Sequence, residues 1–190
     1  MDYQLFELIN QFAGKNNYLD QVVILFSTYG PILFGLVLVW LWFSKKGNKF
    51  ESRKFVLFAV TIVIITLGID KIIELAYFRP RPFVSHTVTL LVEKSNLDPS
   101  FPSNHSAGSF AIAFIIFWKY RKLGSALLIA AFFMAFSRIY LGVHYPFDVI
   151  VGAFIALFVT CFVVWKRTLF EPSYNWIIRK VDRLNPNLID

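Results

Sequence analysis

The chain has 190 residues, of which 57% are hydrophobic and only 16% charged, with 22 Phe and 5 Trp. A soluble domain is closer to half apolar, so this composition points to a chain that crosses a bilayer several times. The net charge of +7 does not indicate nucleic acid, because the cations cluster at the ends of apolar runs, where membrane topology accounts for them.

Residues 1–19 carry Asp2, Glu7 and several Asn and Gln, without the basic start and apolar core of a cleavable signal. Leu5, Leu8, Ile9 and Phe12 share one helical face, which predicts a short helix on the membrane surface; a frayed tail is the alternative. Five spans are predicted next, over Val22–Phe43, Phe55–Tyr77, His105–Trp118, Leu123–Leu141 and Phe147–Trp165. The third is short, which suits a steep crossing or a start buried in protein rather than in lipid. The lone Cys161 lies in an apolar run and has no partner for an intrachain disulfide. Residues 166–190 mix Phe170, Tyr174, Trp176 and Ile178 with Arg179, Lys180 and Arg183, the pattern of a second interfacial helix. The predicted fold is all-α: one polytopic bundle of about five transmembrane helices with an N-terminal interfacial helix and an amphipathic tail.

Charge sets the expected orientation. Lys45, Lys46, Lys49, Arg53 and Lys54 lie between spans one and two, Lys119, Arg121 and Lys122 between three and four, and Lys166, Arg167, Arg179, Lys180 and Arg183 after span five. These are thirteen of the nineteen cations, all on one side if five helices alternate. The positive-inside rule then puts the C-terminus in the cytoplasm and the N-terminus outside. The loop 78–104 and the turn 142–146 both fall on the outer face, so three polar sets meet there.

The first set is Arg79-Pro80-Arg81-Pro82. Arginine stays charged and binds phosphate oxygens bidentately. Arg81 is read as a phosphate ligand and Arg79 chiefly as a juxtamembrane residue meeting lipid headgroups. Lys71, earlier on span two, could reach the same place, and Glu74 could pair with it. The second set, Pro102-Ser103-Asn104-His105, opens span three, where a helix N-terminus offers free N–H groups to an anion. Ser103 is a good N-cap, and His105 could protonate a leaving oxygen. The third runs from Ser137-Arg138 to His144 and Asp148. Pro146 suits a first helical turn, so Asp148 could reach back to one imidazole nitrogen and leave the other free to attack. The alternative is an Asp cap beside a Tyr-Pro turn with an incidental interfacial His. Arg138, a costly charge in an apolar stretch, argues for an anion.

The three sets together resemble the type 2 phosphatidic acid phosphatase superfamily, which joins membrane lipid phosphatases to soluble vanadium haloperoxidases. Its pattern is Lys-x6-Arg-Pro, then Pro-Ser-x-His, then Ser-Arg-x5-His-x3-Asp. The second and third motifs match in full. In the first, counting back from Arg81 lands on Glu74 where the family has lysine, so either Lys71 or Glu74 takes over that role. The stretches FRPRPF, SFPSNHS and SRIYLGVHYPFD look most like bacterial undecaprenyl-diphosphatases of the bacitracin-resistance type.

The resemblance implies that His144 attacks the terminal phosphorus to form a phosphohistidine and that Asp148 orients it. His105 would protonate the leaving oxygen and then activate water, while Arg81, Arg138, Ser103 and the Asn104 amide would hold phosphate oxygens. It implies no cofactor and no metal. The expected partners are a polyprenyl diphosphate and the bilayer, with no nucleic acid, and the expected product would return as a carrier for cell-wall precursors. A broader lipid phosphatase, acting on phosphatidylglycerol phosphate, phosphatidic acid or diacylglycerol pyrophosphate, is the alternative within the class. A non-catalytic lipid-binding or transport protein is the alternative outside it.

Overall fold

The computed structural model describes residues 1–44 and 48–184. Lys45 and Lys46, and the last six residues of the predicted tail, lie outside the described residues. Among the described residues eight helices follow in order: α1 Asp2–Asn10, α2 Asn17–Phe43, α3 Lys49–Ala76, α4 Pro82–Ser85, α5 Asn104–Lys119, α6 Arg121–Tyr140, α7 Pro146–Trp165 and α8 Arg167–Leu184.

The four helices α2, α3, α6 and α7 are long and apolar enough to cross a membrane. Each agrees with a predicted span to within a few residues, and the differences have local causes. α2 begins five residues before Val22 because the Asn16 side chain caps it, accepting from the Tyr18 and Leu19 amides at 3.1 Å. α3 likewise starts at Lys49 because Asn48 accepts from the Glu51 amide at 3.3 Å. α5 has 16 residues and reaches only about 24 Å at the helical rise. It runs through the centre of the bundle, packed against α6 and α7 and then α3. Ala107, Ala111 and Ala113 on it are fully buried, so its neighbours approach closely and it meets protein rather than lipid.

The outward faces of α2, α3, α6 and α7 carry exposed Leu36, Ile64, Phe132 and Phe158, the belt that a multi-pass membrane protein turns to acyl chains. Cys161 is exposed on the same kind of surface.

The predicted N-terminal helix forms, and its other face packs against the bundle. Among its residues Phe6 and Asn10 face inward, whereas Leu5 and Leu8 are exposed. Phe6 packs with Ile139, Tyr145 and Val149, and the Asn10 amide donates to the Tyr140 and Thr89 carbonyls at 2.9 and 2.8 Å. α1 is therefore clamped onto α6 and α7. Its nine residues are too few to span, since they cover about 14 Å.

The tail forms α8, as expected for an amphipathic segment, and docks on α3. Ile178 is fully buried, the Tyr174 hydroxyl meets the Thr61 hydroxyl at 2.6 Å, and Arg53 pairs with Asp182. α4 is a single turn that was not expected from the sequence.

The ends of the bundle differ in charge. Lys54, Lys119 and Arg167 line one cavity at the end where α3 begins, α5 ends and α8 starts. The three polar sets gather at the opposite end, where α3 and α6 finish and α5 and α7 begin.

Candidate active site

His144 sits in the turn between α6 and α7. That turn depends on Gly142, whose φ of +84° suits glycine; a Cβ there would lie 2.7 Å from the Thr89 carbonyl oxygen. The amides of Val143 and His144 both donate to the Arg138 carbonyl, at 3.2 and 3.3 Å, which folds the histidine back beside the end of α6.

The buried imidazole has a defined tautomer. Nδ1 lies 2.6 Å from the Ser100 carbonyl oxygen, and a carbonyl only accepts, so Nδ1 carries the proton. Nε2 then holds a lone pair, 3.2 Å from Arg81 Nη1, which donates to it. Burial pushes the His144 pKa down to about 4, opposed by Asp148 and reinforced by Arg81 and Arg138. Near neutral pH the ring is uncharged.

The contact expected between Asp148 and His144 takes a different form. Asp148 Oδ2 is 3.8 Å from Nδ1, beyond hydrogen-bond range. The carboxylate is instead engaged by three donors: the Ser100 hydroxyl at 2.5 Å, the Tyr145 amide at 2.8 Å and Arg79 Nη1 at 2.5 Å. Asp148 thus acts as a helix-start carboxylate and at the same time fixes Ser100, whose carbonyl orients His144.

Arg79 is the largest difference from the sequence reading. Rather than meeting headgroups, it bridges Asp148 to Asp2 on α1, with Nη2 2.6 Å from Asp2 Oδ2, and lies over the Tyr145 ring at 4.2 Å. Asp2 also accepts from the Phe147 amide at 3.0 Å. Arg81 turns inward. Its Nη1 donates to the Val143 carbonyl at 2.8 Å and its Nε to the Asp98 carbonyl at 3.2 Å.

Arg138 is nearly fully buried. Its Nη1 donates to the Ser27 hydroxyl on α2 at 2.5 Å, and its Nε has no partner. Ser103 occupies the N-cap position of α5, yet its hydroxyl makes no capping bond. The amide of Ser103 donates to the Asp148 carbonyl at 3.1 Å, while its buried Oγ is unpaired. This close approach of α5 to α7 requires Gly152, where a Cβ would come within 2.9 Å of the Ser103 carbonyl oxygen. Buried polar groups without partners are rare, and Ser103 Oγ and Arg138 Nε belong to two of the three sets.

Asn104 Nδ2 donates to Glu74 Oε1 at 2.6 Å. Glu74 Oε2 pairs with Lys71 at 3.0 Å, and the Lys71 side chain remains 65% exposed. Asn104 and His105 line a cavity of about 310 Å³ between α2, α3 and α5, whose other walls include Phe34, Val63, Leu67 and Ile112. An apolar recess therefore opens beside a histidine at the polar end of the bundle.

Three groups escaped the sequence reading. Asp2 and Ser27 come from helices distant in sequence and leave no local signal. Ser100 stands two residues before Pro102 and could be suspected only from its closeness to the second motif. Arg79 did carry a signal, the same Arg-Pro context as Arg81.

The PAP2 superfamily model matches residues 55–170, the span that holds all three polar sets. Among curated proteins, undecaprenyl-diphosphatase BcrC of Bacillus subtilis (strain 168) is 35% identical over 94% of this chain and 91% of its own length. The putative undecaprenyl-diphosphatase YbjG of Escherichia coli (strain K12) is 27% identical, covering 93% of this chain and 90% of its own. Among solved structures, LpxE of Aquifex aeolicus superposes with a TM-score of 0.72 at 28% identity, over 86% of this chain and 94% of that one. The motifs, the helical frame and these likenesses agree: the chain belongs to the PAP2 superfamily.

Proposed function

We propose that this protein hydrolyses undecaprenyl diphosphate to undecaprenyl phosphate and inorganic phosphate, through a phosphohistidine, at the extracytoplasmic face of the membrane. The observation that carries the chemistry is the neutral His144 Nε2 beside Arg81, with Ser103 Oγ and Arg138 Nε of the other motif positions buried and unpartnered. Relatives named for undecaprenyl diphosphate support the substrate. The concentration of cations at the opposite end of the bundle supports the orientation.

In the proposed reaction the Nε2 lone pair forms a bond to the terminal phosphorus. The bond from phosphorus to the bridging oxygen breaks, its electron pair stays on that oxygen, and His105, holding a proton taken up with the anionic diphosphate, supplies it to that oxygen. Undecaprenyl phosphate departs. A water molecule then gives a proton to His105 and attacks the phosphorus; the P–N bond breaks and its electrons return to Nε2. Inorganic phosphate leaves, and both histidines regain their starting states. Positive charge on the phosphorylated ring faces the Ser100 carbonyl and, behind it, Asp148. Arg81, Arg138 and Ser103 stabilise the charge spread over the phosphoryl oxygens, which is the main demand of such a transition state. The apolar cavity beside His105 suits the first units of a polyprenyl chain.

The test is phosphate release by purified protein from undecaprenyl diphosphate, set beside phosphatidylglycerol phosphate, phosphatidic acid and diacylglycerol pyrophosphate, with and without chelator. Undecaprenyl diphosphate should be turned over with the highest kcat/KM, chelator should leave the rate intact, and His144→Ala should abolish release while still inserting in membranes. Preference for another lipid would overturn the substrate, chelator sensitivity the metal-free route, and an active His144→Ala the phosphohistidine.

A further inference from the structure

A lipid diphosphate brings two phosphates to a site whose motif residues are matched to one. The terminal phosphoryl group engages Arg81, Arg138 and Ser103. The inner phosphate, which stays with the lipid, needs a cation of its own on the side of His105 and the apolar cavity. The family's first-motif lysine position cannot supply it, because it holds Glu74. Glu74 is occupied in turn by Lys71 and Asn104.

Lys94 is a cation on the loop that also carries Asp98 and Ser100 to the site. It lies in the segment between α4 and α5, which is fastened on both sides of it. Before it, the Leu91 amide donates to the Leu141 carbonyl at 3.3 Å, and Leu91 and Val92 pack against Leu141 and Val143. After it, the Asp98 carbonyl accepts from Arg81 Nε at 3.2 Å, and the Ser100 amide donates to the Arg79 carbonyl at 2.8 Å. Lys94 is thus held on the rim of the site by the same backbone that holds Arg81 and orients His144. Its ammonium pairs loosely with Asp98, at 3.9 Å. It lies within electrostatic reach of Arg81, Arg138 and Glu74 and of His105. Burial, then Arg81 and Arg138, press its pKa below the usual lysine range. Such crowding of like charges is relieved by an anion among them.

We infer that Lys94 binds the inner phosphate of a lipid diphosphate and so favours diphosphates over monophosphate lipids at this site. This rests on the proposed hydrolysis of a lipid diphosphate. In the reaction Lys94 meets the oxygen-rich phosphate that departs with the lipid, beside the proton supplied by His105, and takes part in no bond change itself. A monophosphate lipid has no group at that position and draws little from the contact.

The experiment measures KM and kcat of the purified full chain on undecaprenyl diphosphate and on phosphatidic acid, for the wild type, Lys94→Gln and Lys94→Arg. Removing one charge-assisted contact at a partly exposed site should raise KM for the diphosphate about tenfold. KM for phosphatidic acid should move by about twofold at most, and Lys94→Arg should recover most of the loss because it keeps the charge. Equal changes for both lipids, or no change in either, would overturn the inference and leave the proposed function standing. Wild-type protein that released no phosphate from the diphosphate would overturn the proposed function and the inference with it.

Discussion

His144 is held by a carbonyl on one nitrogen and leaves the other for chemistry, and that choice of partner sets its pH behaviour. Between pH 4 and 6.5 an ordinary imidazole gains a proton, while burial keeps this one neutral down to about 4. In the proposed reaction the reactive form is the neutral one, so kcat/KM should fall on the acid side with a midpoint near 4, not near 6.5. A pH profile of phosphate release checks this, and an acid limb centred near 6.5 would assign it to another group. The arginines set the magnitude rather than the pH range. Arg138→Ala and Arg81→Ala should each lower kcat by about two to three orders of magnitude, the loss typical of a single transition-state donor. Arg138→Ala also leaves the Ser27 hydroxyl without its partner, so steady-state kinetics should be paired with a thermal melt. A rate near that of the wild type in either variant would show that the phosphoryl group binds elsewhere.

At the scale of helices, α1 does more than lie on the membrane. Its first residue, Asp2, anchors Arg79, which anchors Asp148, which fixes Ser100 over His144. Asp2→Asn keeps the shape and removes the charge. It should lower kcat about tenfold through loss of a charge-assisted pair, with KM little changed because Asp2 never meets substrate. Kinetics of Asp2→Asn against Asp2→Glu check this, the glutamate variant recovering part of the loss. What the sequence shows and hides follows from distance along the chain. Helices α2, α3, α6 and α7 were legible because twenty or so apolar residues cannot do much else. His105, Arg138, His144 and Asp148 were legible because charge and imidazole are costly in such a chain. The link from Asp2 to Arg79 spans 77 residues and leaves no periodic trace. The inward face of α1 left no signal for a related reason: Leu5 and Leu8 form the more apolar stripe and stay exposed, while Phe6 meets a packed pocket and Asn10 two carbonyls of the bundle.

Taken whole, the molecule separates its charges by function. The end with the three polar sets carries arginines bonded to particular partners, Arg81 and Arg138 buried and Arg79 partly exposed. The other end gathers Lys54, Lys119 and Arg167 around an open cavity, with the basic tail helix alongside. Positive charge in short loops and near span ends is retained on the cytoplasmic side during insertion. This charge asymmetry supports the proposed placement of the site outside, where a lipid diphosphate left by cell-wall synthesis would be met. Ser95 tests this directly, since it lies in the exposed segment between α4 and α5, next to Lys94. In a Cys161→Ser background, Ser95→Cys should react with a membrane-impermeant thiol reagent added to intact cells. A cysteine in place of Ser173, on exposed α8 at the far end, should react only after permeabilisation. The reverse pattern would place the catalytic end in the cytoplasm and remove the reason to connect it with a carrier lipid released outside.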